Sequence, residues 1–217
     1  MQFFLDTANL EEIKKYAALG IVDGVTTNPS LIAKEGVSLE TRIKEICSVV
    51  KGPVSSEVIA TDFDGMMKEA RIYRTWAENV YVKVPMTMEG IKACKALTEE
   101  GVNVNVTLVF SVNQAILAAK AGAKLVSPFV GRLDDISENG ILLVEEMVTV
   151  FSNYGFESKV LAASMRHPEH VAKAALAGAD IATIPPAVME MLFKHPLTDK
   201  GLAAFLADWE KVKNLQK

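Results

Sequence analysis

Two stretches decide the fold: Ala121-Gly-Ala-Lys-Leu-Val-Ser127 and Ala177-Gly-Ala-Asp-Ile-Ala-Thr183. In each, a helix-like segment ends at a glycine and a short apolar strand follows with a hydroxyl near its end. Helices commonly stop at a glycine in the left-handed conformation, so the pair reads as one αβ unit used twice. Reading outward, the same alternation of strand-like and amphipathic segments fills the chain. The strand candidates are Gln2–Leu5, Gly24–Thr27, Val54–Val58, Val80–Val84, Val102–Thr107, Leu125–Val130, Lys159–Ala163 and Asp180–Ile184. The helices between them carry their own punctuation. Asn9 with Glu12 forms a capping-box pattern before a stop at Gly20, Ser111 opens a segment that Gly122 closes, and Pro168 opens one that Gly178 closes.

A repeating αβ unit builds either a closed barrel or a doubly wound sheet. A doubly wound sheet ideally shows a glycine-rich phosphate loop after its first strand, but here that turn is Asp6-Thr7-Ala8-Asn9. Eight strand candidates and no linker-like stretch favour one (β/α)₈ TIM-barrel domain over residues 1–217, with an additional C-terminal helix over about 199–215.

Bulk properties narrow the partners. The chain has 217 residues, half of them hydrophobic, and a net charge of −4. No broad basic surface is available for nucleic acid, so an anionic ligand must be held by local cations. Cys47 and Cys94 form neither a disulfide framework nor a metal cluster. His167 and His170 lack a third ligand at metal-site spacing and read as a capping or surface pair. With no signal-peptide pattern or membrane-length apolar run, the expected location is the cytoplasm.

In a parallel barrel, functional groups belong at the C-terminal ends of the strands. Those ends carry Asp6, Asn28, Glu57, Lys83, Thr107, Ser127 with Phe129, and Ser164. Lys83 lies in Val80-Tyr-Val-Lys-Val-Pro85, where alternation sends Val82 and Val84 outward to the helices and Lys83 inward. Burial disfavours an ammonium and so favours the neutral amine, a nucleophile for carbonyl carbon. The competing reading is an edge lysine that reaches solvent or pairs with Glu57 or Asp6. Asp6 and Glu57 can move protons, although Asp6 alone would also serve as a helix cap. Asn28, Asn105, Thr107 and Ser164 offer neutral hydrogen bonds to a polyhydroxylated ligand. Arg132 and Arg166 suit a phosphate, with Asp134 or Asp135 as alternative partners for Arg132.

Phe4-Leu-Asp-Thr-Ala-Asn9, Gly24-Val-Thr-Thr-Asn-Pro-Ser30, Val82-Lys-Val-Pro85, Asn105-Val-Thr107, Ser127-Pro-Phe-Val-Gly-Arg-Leu-Asp-Asp135 and Ala162-Ala-Ser164 together resemble the small transaldolases and the related fructose-6-phosphate aldolases. The resemblance implies that Lys83 forms a Schiff base with a ketose phosphate. It also implies that Asp6 is the acid–base residue for C3–C4 cleavage, and that Glu57 and Thr107 position a water for proton transfer. Asn28, Asn105 and Ser164 match partners of the dihydroxyacetone moiety, Ser127 and Phe129 belong to the substrate-binding set, and Arg132 and Arg166 match phosphate-binding positions. No metal or organic cofactor is implied, because the protonated imine serves as electron sink. The aldolases resemble this chain but carry glutamine at the position of Glu57 and tyrosine at that of Phe129, so these two residues favour transfer over simple cleavage. A non-catalytic sugar-phosphate-binding barrel is the remaining alternative. The C-terminal helix, with Phe205 and Trp209 on one face, either packs on its own barrel or, as the resemblance implies, helps build a homo-oligomer of two pentamers.

Overall fold

The computed structural model describes residues 1–215, with side chains through residue 214. Eight parallel strands close into a barrel in sequence order: β1 Gln2–Asp6, β2 Gly24–Thr26, β3 Val54–Glu57, β4 Val80–Pro85, β5 Val104–Val109, β6 Leu125–Pro128, β7 Lys159–Ala162 and β8 Ile181–Ile184. The helices are α1 Leu10–Ala17, α2 Pro29–Ala33, α3 Leu39–Val49, α4 Phe63–Tyr73, α5 Met88–Glu99, α6 Val112–Lys120, α7 Val130–Asp134, α8 Gly140–Tyr154, α9 Pro168–Leu176, α10 Pro186–Leu192 and α11 Pro196–Leu215. The TIM barrel and the added C-terminal helix are thus present, and all eight strand candidates pair.

The helix stops follow the glycine signals. Gly122 and Gly178 take φ values of 92° and 85°. Immediately after them, Ala123 N–H donates to Ala118 O and Ala179 N–H to Ala174 O at 3.1 and 3.0 Å. This six-to-one bond closes the helix and turns the chain into the next strand. The same bond runs from Val102 N–H to Leu97 O after Gly101, and from Phe156 N–H to Phe151 O after Gly155. It explains why β5 starts at Val104 rather than at Val102, whose N–H is spent on the helix stop. At the other end, β6 finishes at Pro128 rather than Val130, because Val130 begins α7.

Side-chain alternation divides the apolar residues into two groups. Val82 and Val84 join the large layer between strands and helices. Phe4, Leu125, Leu161 and Ile181 form a smaller cluster inside the barrel, with Tyr81 and Phe129 against it. Small barrels of this type are packed through rather than hollow, so this inner cluster floors the site above it. The C-terminal helix begins three residues earlier than the sequence suggested, at Pro196. Its Phe205 and Trp209 are 75% and 53% exposed, so they do not pack into their own barrel. Among the described residues, no helix is long and apolar enough to cross a membrane.

Candidate active site

The register carries Lys83 and Glu57 side by side, since Glu57 pairs with Lys83 across β3–β4, and Lys83 with Asn105 across β4–β5. Lys83 is only 5% exposed. Its Nζ lies 2.9 Å from Glu57 Oε2 and donates to Thr27 O at 3.1 Å. The expected inward direction and the partnership with Glu57 therefore hold together: the lysine is buried and paired.

Lys83 also lines a cavity of about 160 Å³ shared with Asp6, Asn28, Thr107, Ser127, Phe129, Ser164 and both arginines. An adjoining hollow of about 310 Å³ brings in Glu57 beside Lys83, Asn28, Phe129 and Arg132. Asp6 Oδ1 accepts from Thr26 Oγ1 at 2.8 Å, and Thr26 Oγ1 contacts Thr183 Oγ1 at 2.6 Å. Burial raises the Asp6 carboxyl above its ordinary value of 3.8, against the opposing pull of Lys83 and the Thr26 hydrogen bond, with Glu57 adding to the rise. An ionisable group so perturbed inside a cleft is a signature of functional sites.

Thr107 stands beside a break in the β5–β6 register, where Leu108 takes φ 61°. Such irregularities re-aim side chains near active sites. Thr107 Oγ1 is buried without a hydrogen-bond partner among the described residues, an expensive state for a hydroxyl. Asn28 uses its Oδ1 to cap α2, accepting from Leu31 N–H at 2.9 Å, which leaves its amide nitrogen for a ligand.

One candidate stands elsewhere. Asn105 is fully buried and does not line the cavity. Its Nδ2 donates to Ser55 Oγ at 3.1 Å, and its Oδ1 accepts from Ser127 Oγ at 2.7 Å. The pleat puts Asn105 on the inward face, but Ser127 of the neighbouring strand stands between it and the cavity. Thr26 and Thr183, absent from the sequence candidates, do line it. Alternation from Ile181, an inner-cluster residue, already points Thr183 inward.

The arginines differ. Arg166 Nη2 pairs with Asp135 Oδ2 at 2.8 Å, and its Nε donates to Ser164 Oγ at 3.4 Å. Asp134 is taken by His170 Nε2 at 2.7 Å. Neither acid pairs with Arg132, whose guanidinium instead lies 4.9 Å over the Phe129 ring. His170 is buried rather than a surface residue, while His167 occupies the N-cap of α9 without a side-chain cap bond. Among the described residues, no group of three or more His, Cys, Asp or Glu could hold a metal.

Gly131 N–H donates to Ser164 O at 3.1 Å. A Cβ at this position would run into that carbonyl and lie 2.6 Å from Arg166 Cγ. We predict that Gly131→Ala costs about 1–3 kcal/mol of stability, as overpacking does, and displaces Arg166. Thermal melts measure the loss; an unchanged melt would show that the loop yields.

A parallel barrel with a lysine, two carboxylates and two arginines at its C-terminal mouth belongs to the TIM-barrel enzymes. Its fold matches a mandelate oxidase mutant bearing a monooxide FMN adduct, with a TM-score of 0.58 at 18% identity over 86% of this chain and 64% of that one. Residues 3–216 match the Transaldolase/Fructose-6-phosphate aldolase family, and the chain belongs to it. Proteins named "Probable transaldolase" are similar along their length. The one from Methanococcus maripaludis (strain C5) is 63% identical over 97% of this chain and 98% of its own. That of Kosmotoga olearia is 62% identical over 97% of each chain. That of Anaeromyxobacter dehalogenans is 59% identical over 100% of both.

Proposed function

We propose that this enzyme is a transaldolase of the non-oxidative pentose phosphate pathway. It moves a dihydroxyacetone unit from sedoheptulose 7-phosphate or fructose 6-phosphate to glyceraldehyde 3-phosphate or erythrose 4-phosphate. The observation that carries this reading is the buried Lys83 amine, 2.9 Å from Glu57 and sharing a cavity with Asp6 and two arginines.

In this reading, the Lys83 amine gives up a proton toward Glu57 and its nitrogen bonds to the ketose C2. The carbinolamine oxygen then leaves as water, protonated through Glu57 and the Thr107 hydroxyl, and a protonated imine remains. Asp6 removes the C4 hydroxyl proton. The C3–C4 electron pair flows into the imine, leaving a three-carbon enamine on Lys83 and releasing an aldose phosphate. A second aldose phosphate takes the enamine carbon, Asp6 returns its proton to the new hydroxyl, and water hydrolyses the imine. Arg132 and Arg166 hold the phosphate, and Asn28, Ser127 and Ser164 hold hydroxyls. Asn105 acts through Ser127, whose hydroxyl it accepts.

Transfer rather than cleavage is favoured by Phe129, which lines the cavity and has no hydroxyl with which to protonate the enamine. Release of glyceraldehyde 3-phosphate from fructose 6-phosphate is therefore expected to depend on erythrose 4-phosphate. Phe129→Tyr is expected to raise the acceptor-independent rate. Equal multiple-turnover release with and without acceptor would make the enzyme an aldolase instead. The exposed apolar residues of α11, Phe205 and Trp209 among them, support a homo-oligomer, which light scattering measures; a monomer would remove this part of the reading.

A further inference from the structure

Beyond the side chains that face the cavity, one buried group ties together the two loops that carry the arginines. Arg132 stands on α7, and Arg166 on the segment between β7 and α9. At its beginning, α7 docks directly on that segment: Val130 N–H donates to Ala163 O and Gly131 N–H to Ser164 O, at 3.0 and 3.1 Å. Its end is joined to the same segment through one imidazole. His170 Nε2 lies 2.7 Å from Asp134 Oδ2, while His170 Nδ1 accepts the Arg166 backbone N–H at 3.2 Å. Asp134 Oδ1 in turn accepts from Gly140 N–H at 3.0 Å, anchoring it to α8.

We propose that His170 is a positioning residue that fixes the spacing of Arg132 and Arg166 and thereby makes the site selective for phosphorylated sugars. The inference rests on the reading of these arginines as the phosphate site and deepens it.

The geometry requires a neutral ring with its proton on Nε2, because Nδ1 must accept. Burial and the neighbouring His167, whose ring centre is 3.8 Å away, hold His170 below its ordinary value, against Asp134 and Glu169. The neutral form that the two bonds need is thus the one its surroundings favour. Ser164, which joins Arg166 to β7, takes φ 60°. A non-glycine residue in the left-handed region costs energy and persists only where its neighbours over-determine it. His170 is one of the groups holding this segment, through Arg166. Truncating the ring would leave Arg166 N–H and Asp134 each short of a partner, and both loops free to drift. Bidentate recognition of a phosphate depends on fork geometry, so the loss falls on ligands that carry one.

The test is borohydride trapping on Lys83 with two ketones whose C2 imines hydride fixes, fructose 6-phosphate and the phosphate-free dihydroxyacetone. For His170→Ala, the half-saturating concentration of fructose 6-phosphate is expected to rise about tenfold, the scale of one or two lost hydrogen bonds. That for dihydroxyacetone should not move. His170→Asn, which keeps an acceptor near the Nδ1 position, is expected to recover part of the loss and guards against a misfolded alanine variant. Equal loss for both ketones, or none for fructose 6-phosphate, would overturn the inference. Absence of any adduct in the unsubstituted enzyme would instead overturn the Schiff-base reading, and this inference with it.

Discussion

Replacement of Lys83 by methionine is expected to bring transfer to background and to abolish the adduct that borohydride fixes with fructose 6-phosphate. Methionine preserves the unbranched stem that points into the barrel, away from Val82 and Val84, but offers no nucleophile. The chemistry splits a difficult carbon–carbon cleavage into imine formation and decay, and without the amine neither half exists. The variant leaves Glu57 and Asp6 without the cation that now stands beside them. Removing one member of a buried pair destabilises by several kcal/mol in closed interiors. Both carboxylates border open cavities here, so the fold is expected to survive with a lowered melting temperature. Peptide mapping of the trapped enzyme reads the result directly, and an adduct on another residue would sink the assignment.

For Asp6→Asn, activity and stability are expected to move in opposite directions. The amide keeps a hydrogen-bond partner for Thr26 but cannot accept the C4 hydroxyl proton. Loss of a general acid–base group costs about 10²–10⁴-fold in kcat, while imine formation on Lys83 should persist. The carboxyl is raised in the fold, chiefly by burial, so its ionised form is disfavoured there. That cost is absent below the ordinary value of 3.8, where folded and unfolded chains both hold the proton. It develops as pH rises through the folded value and is fully present above it. The asparagine variant escapes it, so at neutral pH it should melt higher than the parent, with the difference vanishing as pH falls toward 4. The acid limb of kcat/KM in the parent should likewise lie above the ordinary aspartate range. A variant that melts lower at neutral pH, or that loses imine formation as completely as cleavage, would argue against this role.

Much of this fold and site is legible in the amino-acid sequence. Helix stops are local, and so the alternation of elements could be read from single glycines and caps: Asn9 accepts from Glu12 N–H and Ser111 from Gln114 N–H as their spacing suggests. Strand ends were legible because barrel chemistry collects there, which placed Asp6, Glu57, Lys83 and Thr107 around one mouth. What escaped depends on contacts between strands or loops. The occlusion of Asn105 behind Ser127 is set by the β5–β6 pairing, which the period of a single strand does not encode. The exchange of acidic partners, Asp135 to Arg166 and Asp134 to His170, depends on how α7 lies against the loop after β7. Five residues of helix following Phe129 interrupt what reads as an extended apolar run, and the tertiary bonds from Val130 N–H to Ala163 O and Gly131 N–H to Ser164 O hold the chain there.

The four helix stops at Gly101, Gly122, Gly155 and Gly178 precede strands, whereas the reactive residues follow them. These stops are therefore written at one rim and the chemistry at the other, where the starting caps Asn9, Asn28 and Ser111 also lie. Sequence drift can rework loop residues of the catalytic rim that cap no helix, altering which sugar is accepted, without rewriting the stops that end each helix. An engineer can likewise vary those residues while the far rim keeps its stops.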